Sequence, residues 1–155
     1  MNKLVAQTMA KKENGEKGFT LIELLVVVII IGILAAIAIP VFLNMRQGAW
    51  KSSVESDVNN AILAVEQAAQ ANNGAYAGLT PLTAAVGKGA GTAAQGTVGT
   101  QKFSASDGNT ITVALVGTGA ATTYTVTGIN KDYGTGNVYT YKSADGSKAW
   151  GTTTQ

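Results

Sequence analysis

Few side chains in this sequence could carry out covalent or metal chemistry. The chain has no histidine and no cysteine, so the usual general base, thiolate nucleophile and zinc ligands are absent. Asp132, Asn137 and Asp145 stand in predicted turns, where their oxygens could coordinate calcium, but such residues more often form the turn by bonding their own backbone. Residues 89–94 fit a glycine-rich nucleotide-binding pattern, without the preceding strand and following helix that it requires. We therefore expect no enzyme activity, no metal and no cofactor.

Glu23 is the one ionisable residue whose position demands an explanation. It is the only charged residue in positions 19–43, and a carboxylate this deep in an apolar helix costs about 2.5 to 3.5 kcal/mol on membrane-insertion scales. No side chain within the apolar span is expected to pair with it. Its partner must therefore come from elsewhere, or the carboxyl group stays protonated.

The element that positions Glu23 is a long apolar helix. Residues 24–39 are sixteen uncharged and almost entirely aliphatic residues. At about 1.5 Å per residue, a helix over positions 19–43 reaches roughly 37 Å, which is enough for the ~30 Å hydrocarbon core of a bilayer. The segment must sit in a membrane or in an equally apolar protein bundle. Four lysines and two glutamates precede it, a balance that places the amino terminus in the cytoplasm and the remainder outside.

The junction before the apolar run resembles that of type IV prepilins. The segment KGFTLIE at residues 17–23 combines a basic leader, a glycine–phenylalanine junction and an acid, and Pro40 follows seventeen residues after Glu23. In that family a membrane prepilin peptidase cuts after the glycine and methylates the new terminal amine. The resemblance therefore implies cleavage between Gly18 and Phe19 and N-methylation of Phe19. It also implies that Glu23 pairs with the terminal amine of a neighbouring subunit, which supplies the missing partner.

The same resemblance implies a function and a location. The chain would be a structural subunit of a type IV pilus, a homo-oligomeric helical filament used for attachment, motility or DNA uptake. Its partners would be the prepilin peptidase, the pilus assembly platform with its ATPase, and membrane lipid before assembly. The precursor would cross the cytoplasmic membrane once and then enter the extracellular pilus. The leader supplies the whole net charge of +2, so charge does not support a nucleic-acid partner for the mature chain.

Other interpretations of the apolar segment stay open at this point. A pseudopilin of a type II secretion or competence system would share the junction, although the Asp-Pro-Trp-Gly type of segment is absent. A membrane-anchored extracytoplasmic binding module would use the same span without polymerising. A secretory signal could be cut after Ala36-Ile37-Ala38, and a soluble protein could bury the whole helix in its core.

Four segments are predicted along the chain: a cleaved leader over residues 1–18, a transmembrane or filament-core helix over 19–40, an amphipathic helix over 41–74 and a β-sheet head over 75–155. Gly32 and Pro40 are the predicted weak points, or kinks, of the helix. Asn73 is the last predicted helical residue, and Gly74 can take the left-handed capping conformation. Apolar residues at spacings of three and four form the face that should pack on the head: Trp50, Val54, Val58, Ala61, Val65 and Ala68. The opposite side should carry a Lys51–Glu55 pair and solvated Asp57, Asn59 and Asn60.

The fold class predicted for the chain is α+β, with one long amino-terminal helix packed against a small antiparallel β-meander. Period-two patterns predict three or four strands, and the connecting segment before them contains at most one short strand, at residues 97–103. The predicted strands cover residues 110–116, 122–127, 138–142 and 148–150. The aromatic residues of the head are expected to pack across strands rather than to form a binding platform. The chain has no cysteine, so no disulfide can close its outer loop. We expect packing, hydrogen bonds or a bound ion to hold that loop instead.

Overall fold

The structure is a computed structural model that describes residues 18–80, 85–86, 94–134 and 136–152. The chain divides into two compact units, Met1–Phe42 and Leu43–Gln155. Within these described residues one helix, α1, comprises Leu21–Ala71. The described part of the chain after it contains seven strands and one 3₁₀ turn: β1 (Ala85–Val86), β2 (Ala94–Val98), β3 (Gln101–Ala105), β4 (Asn109–Val116), the turn Gly119–Ala121, β5 (Thr123–Asn130), β6 (Asn137–Lys142) and β7 (Lys148–Thr152). This architecture confirms the α+β class and the long amino-terminal helix.

The carboxyl end of α1 lies close to its predicted position. The helix ends at Ala71, two residues before the predicted last residue. Both Asn73 and Gly74 then have positive φ, of 56° and 81°. The Gly74 amide donates to the Ala69 carbonyl at 2.8 Å, which is the six-to-one bond of a Schellman motif. Left-handed backbone at two successive residues therefore ends the helix.

The strands form one five-stranded sheet and a separate hairpin. The sheet has the order β1-β4-β5-β6-β7, with every neighbouring pair antiparallel. Its last four strands are the predicted meander. The single strand predicted at residues 97–103 is wrong, because the chain reverses at Gly99 (φ 57°) and pairs β2 with β3. A glycine inside a strand-like pattern permits such a turn at little steric cost.

The core of the second unit lies between one face of α1 and the sheet. The predicted helical face is confirmed: Val54, Val58 and Val65 are fully buried, whereas Trp50 is only partly buried. The strands contribute residues at alternate positions, mainly Ile111, Val113, Tyr124, Val126 and Tyr139. The helix and β5 approach each other closely, because a Cβ added to Gly128 would lie 2.7 Å from methyl groups of Val54 and Val58. Small residues at the contact set this spacing.

Asp57 is buried, and the prediction that it is solvated is therefore wrong. Its side chain accepts hydrogen bonds from the Ser106 amide at 2.6 Å, the Ser106 hydroxyl at 3.0 Å and Asn109 Nδ2 at 2.7 Å. Asn130 Nδ2 donates to Asn109 Oδ1 at 2.7 Å, and Asn130 Oδ1 accepts the Asp132 and Tyr133 amides. This network joins α1 to the β3–β4 turn and the β5–β6 loop. The buried carboxylate is tolerated here because the donors of Ser106 and Asn109 replace the hydrogen bonds that it would make to water.

Further polar contacts attach α1 to the strands in the absence of cysteine. Glu66 accepts hydrogen bonds from Tyr124 Oη at 2.5 Å and from Tyr76 Oη at 3.0 Å. Trp150 Nε1 donates to Glu55 Oε1 at 2.7 Å. Lys51 Nζ lies 5.6 Å from the Trp150 ring, so Lys51 and Glu55 both engage this aromatic residue of β7. These hydrogen bonds and ring contacts tie α1 to the strands without a disulfide.

The aromatic residues of the sheet pack on one another, as predicted. Trp150 of β7 faces Tyr139 of β6, with ring centroids 5.2 Å apart, and contacts Tyr133 edge-on at 5.5 Å. Tyr124 of β5 packs against Tyr141 of β6 at 5.7 Å. These distances are those of favourable aromatic pairs. The rings are therefore part of the packing that holds β7 and the β5–β6 loop.

Candidate functional site

The amino end of α1 is closed by a reciprocal pair of side chains. The Thr20 amide and hydroxyl both donate to Glu23 Oε2, at 2.8 and 2.7 Å. The Glu23 amide lies 3.3 Å from Thr20 Oγ1, to which it donates in return. This is the capping box T-x-x-E, in which the N-cap hydroxyl and the N3 carboxylate satisfy two otherwise orphaned amides. Because a carboxylate has about four acceptor sites, the Thr20 bonds leave it able to accept another donor.

The expectation that Glu23 has no partner within its own span is therefore wrong. Thr20 lies three residues before it, and the T-x-x-E spacing was a readable signal for that contact. The contact is local, so it does not require a second chain. The Glu23 carboxylate thus caps the helix end and retains acceptor sites for a further donor.

The predicted processing junction lies just outside the helix. Gly18, Phe19 and Thr20 are neither helical nor in a strand, and α1 begins at Leu21. The Phe19 side chain is 91% exposed, and space around Gly18 is open, since an added Cβ would have no neighbour within 4 Å. A peptide bond in such backbone can enter a peptidase active site without prior unfolding of the helix.

The surface that follows the junction is apolar on all sides. All eighteen large apolar side chains of residues 19–43 are exposed, by 48% to 91%. The described residues include one helix, Leu21–Ala71, that is long and apolar enough to cross a membrane, and its most apolar window is not buried by the chain itself. Soluble monomers rarely expose apolar patches of this extent. An apolar surface of this extent is typical of a segment that lies in a membrane or against other protein chains.

Gly32 and Pro40 both lie inside α1. The helix is continuous through both positions, and Pro40 is its internal proline. A Cβ added at Gly32 would meet nothing within 4 Å, so no contact within the chain requires glycine there. Their role as points of bending stays a prediction.

The residues considered for calcium have other partners. Asp132 accepts Lys131 Nζ at 2.9 Å, and Asn137 Nδ2 donates to the Tyr133 carbonyl. Hydrogen bonds from the side chain and the backbone of Ser147 lower the pKa of the Asp145 carboxyl. Across the described part of the chain, no three acidic side chains converge on one point. Residues 89–93 of the glycine-rich pattern lie outside the described residues.

Comparison with known proteins points to the same junction. Residues 14–39 match the family model described as the prokaryotic N-terminal methylation motif. This match contains Gly18, Phe19, Thr20 and Glu23, which the structure brings together at the start of α1. The match covers the residues just before α1 and the apolar part of the helix, and does not extend to the strands of the second unit.

Named relatives are similar to a limited portion of the chain. The type IV major fimbrial protein FimA of Dichelobacter nodosus is 53% identical over 51 residues, which are 33% of each chain. The type IV major alpha-pilin of Moraxella bovis is 44% identical over 55 residues, 36% of this chain and 35% of the relative. The type IV narrow pilus major component PilA5 of Thermus thermophilus is 52% identical over 40 residues, 26% of this chain and 34% of the relative.

The similarity spans about a third of the length of these relatives. No solved structure matches the chain significantly. The family-model match thus includes the junction and the apolar part of the helix, but not the strands. The resemblance predicted from residues 17–23 and Pro40 is confirmed, because residues 14–39 match the methylation motif and the chain is similar over about a third of its length to type IV major pilins.

Proposed function

We propose that this chain is a structural subunit of a type IV pilus and not an enzyme. In this proposal a prepilin peptidase removes residues 1–18 and methylates Phe19. The subunit then polymerises through the apolar half of α1 into an extracellular filament for attachment, motility or DNA uptake. The single observation that carries the proposal is the fully exposed apolar surface of residues 19–43, with one carboxylate at its start, directly after an exposed Gly18–Phe19 bond.

Cleavage would change the electrostatics at the start of the helix. The amino end of an α-helix carries about half a positive charge from its peptide dipoles. Cutting before Phe19 would place a full positive charge beside this pole, in an apolar environment where it is costly. A carboxylate near the new amine offsets that cost. Glu23 lies one helical turn away in sequence and has acceptor sites beyond those that Thr20 uses.

Pairing between subunits would explain why Glu23 lies in an apolar surface. An uncompensated charge buried between subunits is destabilising, whereas a carboxylate paired with the amine of its neighbour is tolerated and fixes the axial register. A heterologous contact of this kind propagates without closing, so it generates a filament. The apolar side chains around Glu23 exclude water from the pair and thereby strengthen it.

The apolar surface also affects how the subunit is held in the membrane before assembly and how it leaves the membrane. In a bilayer it would be covered by lipid, with the amino terminus in the cytoplasm and the second unit outside. Helix association within lipid gains little from the hydrophobic effect, because lipid tails are as apolar as the helices. Extraction into the filament therefore requires work, for which an assembly platform and its ATPase are the proposed partners. Outside, exclusion of water holds the bundle together.

The amino terminus and intact mass of the chain, purified from its native cell envelope, test processing. We expect a chain that begins at Phe19 and is heavier by one methyl group than the unmodified sequence. A chain that begins at Ile39 would instead indicate an ordinary secretory signal. An intact Met1, in cells that contain an active prepilin peptidase, would favour a simple membrane anchor and contradict the proposal.

Three variants separate the two roles of Glu23. Glu23→Ala removes both the cap and the charge, and Glu23→Gln keeps an acceptor for Thr20 without the charge. Thr20→Ala breaks the capping box but keeps the carboxylate. If pairing between subunits matters, both Glu23 variants are cleaved normally but yield few filaments, whereas Thr20→Ala loses only the roughly 1 kcal/mol of a helix cap and still assembles. Normal filament yield from Glu23→Gln would exclude the charge pair.

Two alternatives predict other assemblies. A pseudopilin would show the same processing but form short filaments that depend on a secretion or competence machine. An anchored binding module would remain monomeric in the membrane. Electron microscopy of the cell surface and of sheared material distinguishes them: long filaments that contain this chain support the pilus subunit, and their absence supports an alternative.

A further inference from the structure

Basic and aromatic side chains lie together where α1 enters the second unit. We define this basal cluster as three residues of the helix and two from the β5–β6 loop and β7: Arg46, Trp50, Lys51, Tyr133 and Trp150. The guanidinium carbon of Arg46 lies 4.8 Å from the centre of the Trp50 ring. Lys51 Nζ lies 5.3 Å from the centre of the Tyr133 ring and 5.6 Å from that of Trp150. These are distances of cation–π interactions.

The helical residues of the basal cluster directly follow an uncharged span of membrane length. Residues 24–45 are twenty-two uncharged residues, and Arg46 is the first charged residue after Glu23. At about 1.5 Å per residue in a helix, this span reaches roughly 33 Å, which is close to the ~30 Å thickness of the hydrocarbon core of a bilayer. When the span lies in a bilayer, the helical residues of the cluster are therefore expected at the level of the lipid headgroups.

The aromatic residues of the basal cluster are only partly buried. Trp50, Tyr133 and Trp150 all have intermediate exposure, so each side chain is partly packed and partly accessible. A hollow of about 300 Å³ opens beside two of them. Its lining combines aromatic, amide, hydroxyl and backbone groups: Tyr133, Asn137, Trp150, Gly151 and Thr152. Such a lining suits a ligand that has both apolar and polar groups.

The far end of β4 lacks this combination of residues. Asn109, the first residue of β4, accepts its place beside the helix through a hydrogen bond from its Nδ2 to Ser53 Oγ at 2.9 Å. Val116 ends the strand seven residues later, which is about 23 Å along an extended chain. The residues that follow it, 117–122, are glycine, threonine and alanine, with no charged or aromatic side chain. Val116 therefore provides a control position away from the basal cluster.

We propose that the basal cluster contacts phospholipid headgroups while the chain is held in the membrane. The inference deepens the proposed function and rests on its membrane step. Tryptophan and tyrosine are enriched at membrane–water interfaces, because their rings are apolar and carry one polar group. Arginine and lysine can extend their charged ends to water and headgroups while their carbon chains cover apolar surface. The group recognised is the lipid phosphate, to which Arg46 and Lys51 donate.

A nucleic acid is a poorer occupant for this cluster. Carboxylates lie close to it, since Glu55 Oε1 accepts from Trp150 Nε1 at 2.7 Å and Asp132 lies 2.9 Å from Lys131 Nζ. A polyanion binds by neutralising a row of phosphates with several cations, and the helical part of the cluster supplies two. Individual lipid phosphates can approach Arg46 and Lys51 separately, so they do not have to face the neighbouring carboxylates.

Tryptophan fluorescence tests the contact, because Trp50 and Trp150 are the two tryptophans of the chain. Trp150→Phe leaves Trp50 as the single reporter, and Trp50→Phe leaves Trp150. The control chain has both changes together with Val116→Trp. Each full-length chain is reconstituted into vesicles of phosphatidylcholine and phosphatidylglycerol, with and without a nitroxide on the phosphatidylcholine headgroup. We expect the nitroxide to quench each cluster reporter at least about threefold more strongly than V116W, because the headgroup layer is only about 5 to 7 Å thick.

A pair of charge variants tests the role of the cations. In the chain that keeps Trp150 as its reporter, Arg46→Gln with Lys51→Gln should lower the nitroxide quenching at least about twofold, because each cation near the surface adds attraction to anionic headgroups. Lys102→Gln with Lys142→Gln is the matched control, since both lysines are exposed and lie outside the cluster. This control pair should leave the quenching unchanged.

The outcomes separate the contact from the proposed function. Equal quenching of all three reporters, in chains that float with the vesicles, would overturn the contact and leave the membrane span and the pilus function intact. Protection of Trp50 that appears only at high protein-to-lipid ratio would indicate a second copy as the occupant and would also overturn it. If the natural chain does not float with the vesicles, the membrane step of the proposed function fails, and the contact with it. Protease resistance verifies that each variant is folded.

Discussion

Two stretches of the same helix differ in how far their apolar side chains are exposed. In residues 19–43, all eighteen large apolar side chains are at least 48% exposed. In the second unit, Val54, Val58 and Val65 are fully buried by strands of the same chain. The first stretch is rich in isoleucine and leucine, and the second in alanine and valine.

The two stretches also differ in which residues hydrogen-bond to their carboxylates. Glu23, at the start of the exposed stretch, is held by a neighbour three residues away. Asp57, Glu55 and Glu66, in the second stretch, each accept a hydrogen bond from a residue 49 to 95 positions away. The first arrangement is a local property of the helix end. The second exists only when the strands are in place.

The largest effect is expected from a lysine added to the apolar stretch of the helix. A lysine added to β4 at a matched exposure is the control. Ile30 and Val116 are 51% and 52% exposed. Ile30→Lys should block membrane insertion or filament assembly, because a lysine near the centre of a membrane helix costs about 2.5 to 3.5 kcal/mol. Val116→Lys should change stability by less than about 0.5 kcal/mol. Membrane fractionation and filament yield measure both, and equal tolerance at the two positions would contradict the distinction between them.

The next effect concerns the buried carboxylate. Asp57→Ala should lower the free energy of unfolding by about 2 to 4 kcal/mol, because Ser106 and Asn109 lose a buried acceptor. Ser56→Ala is the matched control, since Ser56 is the exposed neighbour and its loss should cost little. Urea unfolding of the full-length chain in detergent, followed by near-ultraviolet circular dichroism, compares the two. Similar midpoints for both variants would show that the network adds no stability.

A smaller loss is expected where the helix and β5 are closest. Gly128→Ala would place a methyl group 2.7 Å from Val54 and Val58, and such overpacking costs about 1 to 3 kcal/mol. Gly151→Ala is the control, because no atom lies within 4 Å of its added Cβ. The same unfolding measurement applies. A stable Gly128→Ala variant would mean that the helix can move away from the sheet at little cost.

The smallest effect is expected from alkali. Burial, with further contributions from the hydrogen bond and negative charge of Glu66, raises the pKa of Tyr124. Below the ordinary phenol pKa of about 10, both folded and unfolded chains hold this proton, and stability is independent of it. Above that pH the unfolded chain loses the proton first, so stability falls by up to about 1.4 kcal/mol per pH unit. Tyr124→Phe should flatten this dependence in unfolding measured between pH 9 and 11, and an unchanged slope would exclude Tyr124 as its source.

Much of the fold was predictable because its signals are local. The spacing of Val54, Val58, Ala61 and Val65 predicted the packed face of α1, and alternating residues predicted β4 to β7. Gly74 predicted the end of the helix within two residues. The capping box of Thr20 and Glu23 was equally readable, but the apolar surroundings of Glu23 suggested a distant partner instead. These features depend on residues within one or two turns of each other.

The amino-acid sequence by itself determined the apolar span, the helical face and the order of the main strands, and it predicts a processing junction at residues 18–19. Only the tertiary structure decided that Asp57 is buried, that Lys51 and Glu55 turn to Trp150, and that β2 and β3 form a hairpin. Periodicity reports which side of an element is apolar. It does not report which polar residue will meet a donor from a strand 50 or more positions later, because that contact depends on how the elements pack.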